Sequence, residues 1–227
     1  MEQNDSAYRQ VDEDEIMKSQ MEKMIPSYDS YMRKMTFGRE RALREMTVRL
    51  AQVKPGDCIL EVGCGTGTLT LAAKRQAGPS GMVFGIDVIP GMIELCQRKA
   101  AQANEDVTFQ VGSFDDIPFP ANYFNVVMCS FMIFHMSEKT RRKGIAETYR
   151  VLKPQGRLLV LDLALPNRAL PRAIAQMLFG GMLTHDLQEL LPLMDASGFS
   201  DIEMAQAKFR ILGLSVLAFV HGSARKS

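Results

Sequence analysis

The sequence contains no tryptophan and no apolar run of about 18 residues, and its charges nearly cancel, since 27 Lys and Arg face 26 Asp and Glu for a net charge of +1. Without a long apolar run, no membrane-spanning helix is expected. The near-neutral balance gives no electrostatic reason to expect nucleic acid or a membrane surface as a partner. The start of the chain, Met1–Asp5, is polar and acidic, which is not typical of a secretory signal. We therefore expect a cytoplasmic protein.

Cysteine is also sparse. The four residues Cys58, Cys64, Cys96 and Cys129 form no C-x-x-C pair, so reduced thiols are expected and a metal site is not. Methionine is abundant at 16 residues, which favours an adaptable apolar interior. With 227 residues, 46% of them hydrophobic, the chain can bury a sizeable core within one compact unit.

The most informative stretch is a strand followed by a glycine-rich turn. Cys58–Val62 is a short apolar run interrupted only by Glu61, and glycine then occupies every second position at 63, 65 and 67. Glycine accepts positive φ and lets a ligand approach the backbone closely. A second apolar run, Met82–Asp87, ends in an acid 20 residues after Gly67 (87 − 67 = 20). That spacing predicts a carboxylate that binds the ribose of an adenosine-bearing ligand.

The turn itself favours one kind of ligand. A dinucleotide fingerprint reads G-x-G-x-x-G, whereas this turn reads G-x-G-x-G, with Thr68 where the third glycine of the fingerprint would stand. The segment 61–70 contains no Lys or Arg and includes Glu61, which suits a sulfonium and an ammonium better than phosphates. S-adenosylmethionine (SAM) fits this description. A nicotinamide cofactor and a merely structural turn are the alternatives.

The residues 61–67, E-V-G-C-G-T-G, resemble motif I of the class I SAM-dependent methyltransferases, and most of all the ubiquinone/menaquinone C-methyltransferase branch. The resemblance runs from about Tyr28 to the C-terminus, and the segment 150–156 is similar to the R-V-L-K-P-G-G stretch of the same superfamily. It implies an enzyme that transfers a methyl group from SAM to a small, apolar or aromatic molecule, with O-, N- or C-methylation undetermined. A catalytically silent SAM-binding partner subunit and an NAD-dependent oxidoreductase are the alternatives.

Apolar runs alternate with helical stretches along the chain, which predicts a doubly wound, Rossmann-like α/β fold. We expect seven strands, mostly parallel with an antiparallel C-terminal edge strand: Cys58–Val62, Met82–Asp87, Val107–Val111, Val126–Cys129, Leu158–Leu163, Asp201–Lys208 and Leu214–Val220. Residues 1–54 are interpreted as an N-terminal helical cap and residues 55–227 as the SAM-binding domain. One cap helix is expected to end at Pro26 and a second to span Arg39–Val53. Whether the cap only covers the sheet edge or acts as a lid is left open.

The predicted cofactor-binding residues lie at the ends of successive strands. In the resembled family an acid or amide often binds the adenine amino group at the position of Ser113, so adenine recognition here is expected from the Ser113 hydroxyl and the Phe114 backbone N–H. Ser130 matches a cofactor-contacting serine of the quinone branch, although it could instead cap the following segment. The full predicted set is Glu61, Gly63, Gly65, Thr66, Gly67, Asp87, Ser113, Phe114 and Ser130.

Methyl transfer from a sulfonium is an in-line displacement, and a general base is needed only if the acceptor carries a proton. His135 is the candidate base, because it follows the fourth strand and histidine titrates near neutral pH; a structural histidine is the alternative. The quinone branch usually has Arg-Asn where this chain has Phe134-His135. The predicted substrate-binding residues are Tyr28, Tyr31, Phe134 and His185. The apolar segment 163–184 favours an apolar or aromatic substrate, and a homodimer contact is its alternative use.

Overall fold

A computed structural model of the chain describes residues 18–133, 136–164, 173–177, 186–211 and 213–226. Its centre is one seven-stranded sheet with the order β3-β2-β1-β4-β5-β7-β6. The strands are β1 (Cys58–Val62), β2 (Met82–Asp87), β3 (Thr108–Val111), β4 (Phe124–Ser130), β5 (Leu152–Leu163), β6 (Phe199–Gln206) and β7 (Leu217–Ala224).

The first five strands are parallel to one another, and β7 runs antiparallel between β5 and the edge strand β6. The predicted seven-stranded mixed sheet is therefore confirmed, with the antiparallel strand second from the edge. Every residue of β1 is buried, as expected for a central strand covered on both faces. The strand order reverses between β1 and β4, so the ends of these strands border a crevice where ligands bind in such folds.

The helices cover both faces of this sheet. They are α1 (residues 18–24), α2 (Tyr28–Met35), α3 (Glu40–Leu50), α4 (Thr68–Ala77), α5 (Pro90–Ala103), α6 (Glu138–Val151), α7 (residues 173–177) and α8 (Leu190–Ser197). Within the described part of the chain, no helix combines the length and the apolar character needed to cross a bilayer. The same residues contain no group of three or more His, Cys, Asp or Glu side chains placed to hold a metal ion.

The cap differs from its prediction at Pro26. The chain does not leave the helical conformation there, because a 3-10 turn over Ile25–Ser27 leads directly into α2. Proline fits this turn since it lies in the first positions, where its missing N–H is not needed. Tyr28 and Tyr31 consequently lie within a helix instead of preceding one. The next helix, α3, buries Leu43 and Met46 in the main core beside the sheet.

The bounds of five strands, β3 to β7, differ from prediction, and those of β5 and β7 differ most. β5 begins at Leu152, six residues before the expected Leu158, because the segment 153–156 continues the strand instead of forming a separate turn. Gln155 accommodates this with a positive φ of 60°. β7 spans Leu217–Ala224, later than the expected Leu214–Val220, since Leu214 forms only an isolated bridge with Ile211.

Candidate active site

The glycine-rich turn between β1 and α4 has the backbone that its sequence predicts. Gly63, Gly65 and Gly67 all have positive φ, at 67°, 52° and 76°. The N–H of Cys64 donates to the carbonyl of Ile86 at 2.9 Å, which fixes the turn against β2. A side chain at Gly63 would also collide with Met132, since a Cβ there would lie 2.5 Å from its sulfur. Positive φ thus favours glycine at all three positions, and close packing adds a second reason at Gly63.

Asp87, the last residue of β2, lies directly against this turn. Its Oδ2 accepts a hydrogen bond from the Gly65 N–H at 2.9 Å, and its Oδ1 accepts one from the Ile89 N–H at 3.0 Å. Burial raises the pKa of this carboxyl group, although the backbone hydrogen bonds oppose the shift. Each carboxylate oxygen keeps a lone pair for a further donor, so two ribose hydroxyls can be bound at this point.

A cavity of about 430 Å³, called here the large cavity, lies beside the turn and Asp87. It extends along the ends of β1, β2, β3 and β4, the position at which doubly wound sheets bind their ligands. Its lining residues are Lys18, Met21, Tyr28, Val62, Gly63, Gly65, Asp87, Val88, Ile89, Met92, Gly112, Ser113, Phe114, Asp115, Ser130, Phe131, Met132, Met136 and Thr140.

Three further predicted cofactor residues line the large cavity. The Ser113 hydroxyl donates to the Asp115 carboxylate, so these two side chains form one polar group on the wall. Phe114 is 1% exposed, and its ring packs directly on Gly144, which leaves its backbone as the part able to meet a ligand. The buried Ser130 receives a hydrogen bond from the Arg44 guanidinium at 3.4 Å.

Glu61, Thr66 and Gly67, which were also predicted to bind the cofactor, are not among the lining residues of the large cavity. The Glu61 carboxylate is buried and accepts a hydrogen bond from the Thr70 hydroxyl on α4. Burial raises the pKa of Glu61 to about 7. The Thr66 hydroxyl donates to Asp29 of α2 at 2.7 Å. The geometry therefore gives Glu61 and Thr66 contacts that fix the turn to its neighbouring helices.

A second cavity of about 240 Å³, the small cavity, adjoins the large one under the N-terminal helices. Met21, Tyr28 and Phe131 line both cavities, so the two share a wall. The small cavity is lined by Gln20, Met21, Met24, Tyr28, Tyr31, Met32, Met35, Thr36, Leu43, Phe131, Asp162, Leu163 and Ile211. Among the described residues its wall is thus mostly methionine, aromatic and aliphatic, and it includes one carboxylate, Asp162, which is 1% exposed at the end of β5.

Of the predicted substrate-binding residues, Tyr28 and Tyr31 line the small cavity. Burial, together with the carboxylates of Asp87, Glu61 and Glu40, raises the pKa of Tyr28 to about 12 against the opposing effect of Arg44. The Tyr28 phenol therefore stays protonated at neutral pH and is able to donate a hydrogen bond. Phe134, His135 and His185 lie outside the residues that the structure describes. Their predicted roles stay predictions.

Sequence reasoning missed three charged residues that surround the site. Arg44 is a buried cation on α3, and besides Ser130 it contacts Glu40 at 3.4 Å. Asp29 of α2 connects Thr66 of the glycine turn with Lys99 of α5. The i,i+4 spacing of Glu40 and Arg44, beside the apolar stripe of α3, is the only sequence signal of this arrangement. Asp29 and Lys99 carry no such signal because their contacts join distant segments.

Comparison with known proteins gives matches over the same part of the chain. A family described as "Methyltransferase domain" matches residues 59–156. The chain is 33% identical over 157 residues to the demethylmenaquinone methyltransferase of Symbiobacterium thermophilum, covering 68% of this chain and 62% of that protein. It is 31% identical over 174 residues to a ubiquinone/menaquinone biosynthesis C-methyltransferase of Geobacter sulfurreducens, covering 76% of this chain and 67% of that protein. The chain thus spans about two thirds of the length of these curated relatives.

Among solved structures, a SAM-dependent methyltransferase from Aquifex aeolicus has the same fold, with a TM-score of 0.66. It is 21% identical, and the alignment covers 89% of this chain and 98% of that one. The same family is indicated by the glycine-rich turn, by the acid at the end of β2 and by the matches to known proteins. The chain therefore belongs to the class I SAM-dependent methyltransferases, in the branch of the ubiquinone/menaquinone C-methyltransferases.

Proposed function

We propose that the protein transfers the methyl group of SAM to a small apolar or aromatic acceptor, with SAM in the large cavity and the acceptor in the small one. The observation that carries this proposal is the shared wall of the two cavities at Met21, Tyr28 and Phe131. In-line displacement requires the acceptor atom to face the sulfonium methyl at near contact. Two adjoining cavities of these sizes allow that approach and exclude bulk water from it.

The lining of the small cavity supports an acceptor with an apolar body. Four methionines contribute to it, at positions 21, 24, 32 and 35, and methionine adapts its shape to flat or branched ligands. The names of the relatives, which act on demethylmenaquinone or in ubiquinone and menaquinone biosynthesis, favour a quinol-like aromatic ring. C-methylation of such a ring is the corresponding reaction.

The cofactor would be held mainly through polar groups on the wall of the large cavity. Asp87 would bind the ribose hydroxyls, and the Ser113–Phe114 segment would meet the adenine. Arg44 reaches this wall through Ser130. Its guanidinium Nε is buried and has no hydrogen-bond partner within the described residues, so a cation is present to complement the carboxylate of the methionine part.

An acceptor that carries a proton also needs a group to receive it, and Asp162 fits this role by position. Its carboxylate lines the small cavity, and its Oδ1 accepts the Leu163 N–H at 2.9 Å. We include His135, from the sequence, as the second candidate. A general base of this kind contributes about 10²- to 10⁴-fold to a rate.

Methyl transfer can be measured with methyl-labelled SAM and a panel of phenols, quinols, amines and sterol-like lipids. We expect label to enter an apolar acceptor, and most readily a quinol. Absence of transfer to every class, by a folded protein that binds SAM, would instead favour a silent partner subunit.

Once an acceptor has been identified by this transfer, Asp162→Asn should lower kcat on it by about 100-fold or more, with unchanged affinity for S-adenosylhomocysteine. Asp186→Asn, at an exposed position, is the control, and an equal kcat in both variants would remove Asp162 from the reaction.

A further inference from the structure

Five exposed cations lie on two segments that meet at one end of the molecule. We call this set the basic rim: Arg33, Lys34, Arg39, Lys208 and Arg210. Arg39 joins the segments, because its Nη1 donates to the carbonyl of Arg210 at 3.4 Å and its guanidinium lies 4.7 Å from the centre of the Phe209 ring. Arg39, Lys208 and Arg210 line one surface cleft together with Gln206, Ala207 and Ser215. The described residues that line this cleft therefore include three cations and no acid.

The charge of the basic rim is not neutralised by its neighbours in the chain. Between residues 33 and 41 the single acid is Glu40, and between residues 207 and 216 there is none. Glu40 already contacts Arg44 and accepts a hydrogen bond from Thr68, so it faces inward. The net charge of +1 for the whole chain thus conceals a strongly positive local surface. Such a surface attracts anions over roughly a Debye length, about 8 Å at physiological salt.

An aromatic side chain projects among these cations. Phe37, between α2 and α3, is 59% exposed and has a positive φ of 52°. An exposed phenylalanine in a conformation that disfavours bulky residues gains nothing from the folded chain itself. Basic residues around an exposed aromatic ring are the combination that binds the interfacial region of an anionic bilayer.

The position of Phe37 relates this surface to the small cavity. Met35 and Thr36, the two residues before Phe37, line the small cavity, and so does Ile211, the residue after Arg210. Because β7 is antiparallel to both β5 and β6, the strand β6 runs in the same direction as β4 and β5. The residues that follow β6 therefore lie at the edge of the sheet where β4 and β5 have their carboxyl ends. A flat surface that contacted the basic rim would lie beside the apolar small cavity.

We propose that the basic rim and Phe37 form a docking surface for an anionic phospholipid bilayer, with Phe37 inserted at the level of the headgroups. The cations would contact lipid phosphates, and Phe37 would enter the boundary between headgroups and acyl chains. A soluble anion would use the cleft but not the exposed ring, which is why the bilayer is preferred as the partner. Delivery of a lipophilic acceptor from the bilayer to the small cavity would follow, and this last step rests on the proposed function.

The test is cosedimentation of the full chain with vesicles, which does not depend on methyl transfer. We expect binding to vesicles of phosphatidylglycerol and phosphatidylcholine, and little binding to phosphatidylcholine alone. Binding to the anionic vesicles should fall markedly when salt rises from about 0.05 to about 0.5 M, because the Debye length then shortens several-fold. The double variant Lys208→Gln/Arg210→Gln should lower the partition constant by about tenfold or more. Phe37→Asn should also lower it by several-fold while keeping the turn, because asparagine tolerates positive φ.

The matched control is Lys54→Gln/Arg75→Gln, which removes one lysine and one arginine from exposed positions. These positions lie toward the amino ends of the strands, whereas the basic rim lies at their carboxyl ends. Circular dichroism and thermal unfolding verify that each variant folds. The proposal is overturned if the wild type does not bind anionic vesicles, or if the control loses as much binding as the rim variant. It is equally overturned if inorganic diphosphate binds the cleft, with loss in the rim variant, while anionic vesicles do not bind.

Discussion

At the scale of single residues, Asp87 connects the sequence motif to the geometry of the site. Its two backbone hydrogen bonds hold the carboxylate in place before any ligand arrives, so little side-chain entropy is lost when a ribose binds. The strand-end position and the spacing of 20 residues from Gly67 were sufficient to predict this placement. The spacing could not show that Gly65 donates to the carboxylate, because that contact depends on the bend of the turn.

Asp87→Ala is expected to weaken binding of S-adenosylhomocysteine by about 5- to 150-fold. The variant removes a charged acceptor of ribose hydrogen bonds, a change worth about 1–3 kcal/mol. Isothermal titration calorimetry measures the dissociation constant, with Asp106→Ala as a control at an exposed position. Equal affinities of the two variants would exclude Asp87 from the cofactor site.

Arg44 was not predictable in this way. It belongs to a segment far from the motif, and only the packing of α3 brings it to the wall of the large cavity. Glu61 was predicted to meet the cofactor, and the structure shows that its carboxylate accepts a hydrogen bond from Thr70. The sequence identified the strand that carries Glu61 but not this contact with α4.

At the scale of elements, the two strands that border the motif were predicted to the residue. β1 and β2 have the expected bounds, because apolar runs with clear turn residues on both sides leave little freedom. The N-terminal helices were less predictable, since Pro26 was interpreted as a helix end although a 3-10 turn accommodates it. The start of β5 at Leu152 was also not predicted, since the strand was expected from Leu158. Residues 153–156 have no partner in the strand pairings, which pass from Leu152 to Arg157 on the β4 side and begin at Arg157 on the β7 side.

The contact between α2 and the glycine turn tests whether the cap acts as a lid. Asp29 accepts a hydrogen bond from the Thr66 hydroxyl and forms an ion pair with Lys99. The helix α2 is therefore fixed to the glycine turn and to α5, which both border the large cavity. Asp29→Ala should raise the dissociation rate of S-adenosylhomocysteine several-fold, because loss of these bonds frees the helix that covers the cavity. Stopped-flow displacement measures this rate.

Glu94→Ala is the matched control for that experiment. It removes another carboxylate–cation pair on α5, between Glu94 and Arg98, at a more exposed position. A dissociation rate unchanged by Asp29→Ala, or raised equally by Glu94→Ala, would leave the cap as a fixed cover of the sheet edge.

At the scale of the whole molecule, the buried acids couple stability to pH. Burial raises the pKa of Glu61 from its ordinary value of 4.5 to about 7. Between these values the folded protein retains a proton that the unfolded chain has released, so the free energy of unfolding falls as pH rises through this window. The fall due to Glu61 alone is roughly 3 kcal/mol.

Glu61→Gln should therefore flatten the decline in stability between about pH 4.5 and 7. Asp87, whose pKa burial also raises, contributes in the same direction, so part of the decline remains. Urea unfolding at pH 5 and pH 7.5 measures the difference, with Glu22→Gln as a control at an exposed position. If the free energy of unfolding of Glu61→Gln falls with pH as steeply as that of the wild type, burial of the Glu61 carboxyl group is not the cause of the decline.

The overall architecture followed from the alternation of apolar runs and helices, and the short link before β7 predicted its antiparallel pairing. The acceptor could not be predicted from it, because a fold of this kind serves many reactions. Among the described residues, the small cavity is formed by α1, α2, α3 and β5 with Phe131 and Ile211, which are distant in sequence. Its shape becomes visible only when these elements are packed together.

We propose that the glycine turn and Asp87 bind the adenosine of SAM with its sulfur facing the small cavity. A crystal structure of the protein with S-adenosylhomocysteine shows this arrangement or its absence. We expect ribose hydroxyls within hydrogen-bonding distance of both Asp87 oxygens and the sulfur directed toward Tyr28 and Phe131. Density for the ligand elsewhere, or a ribose that does not contact Asp87, would contradict it.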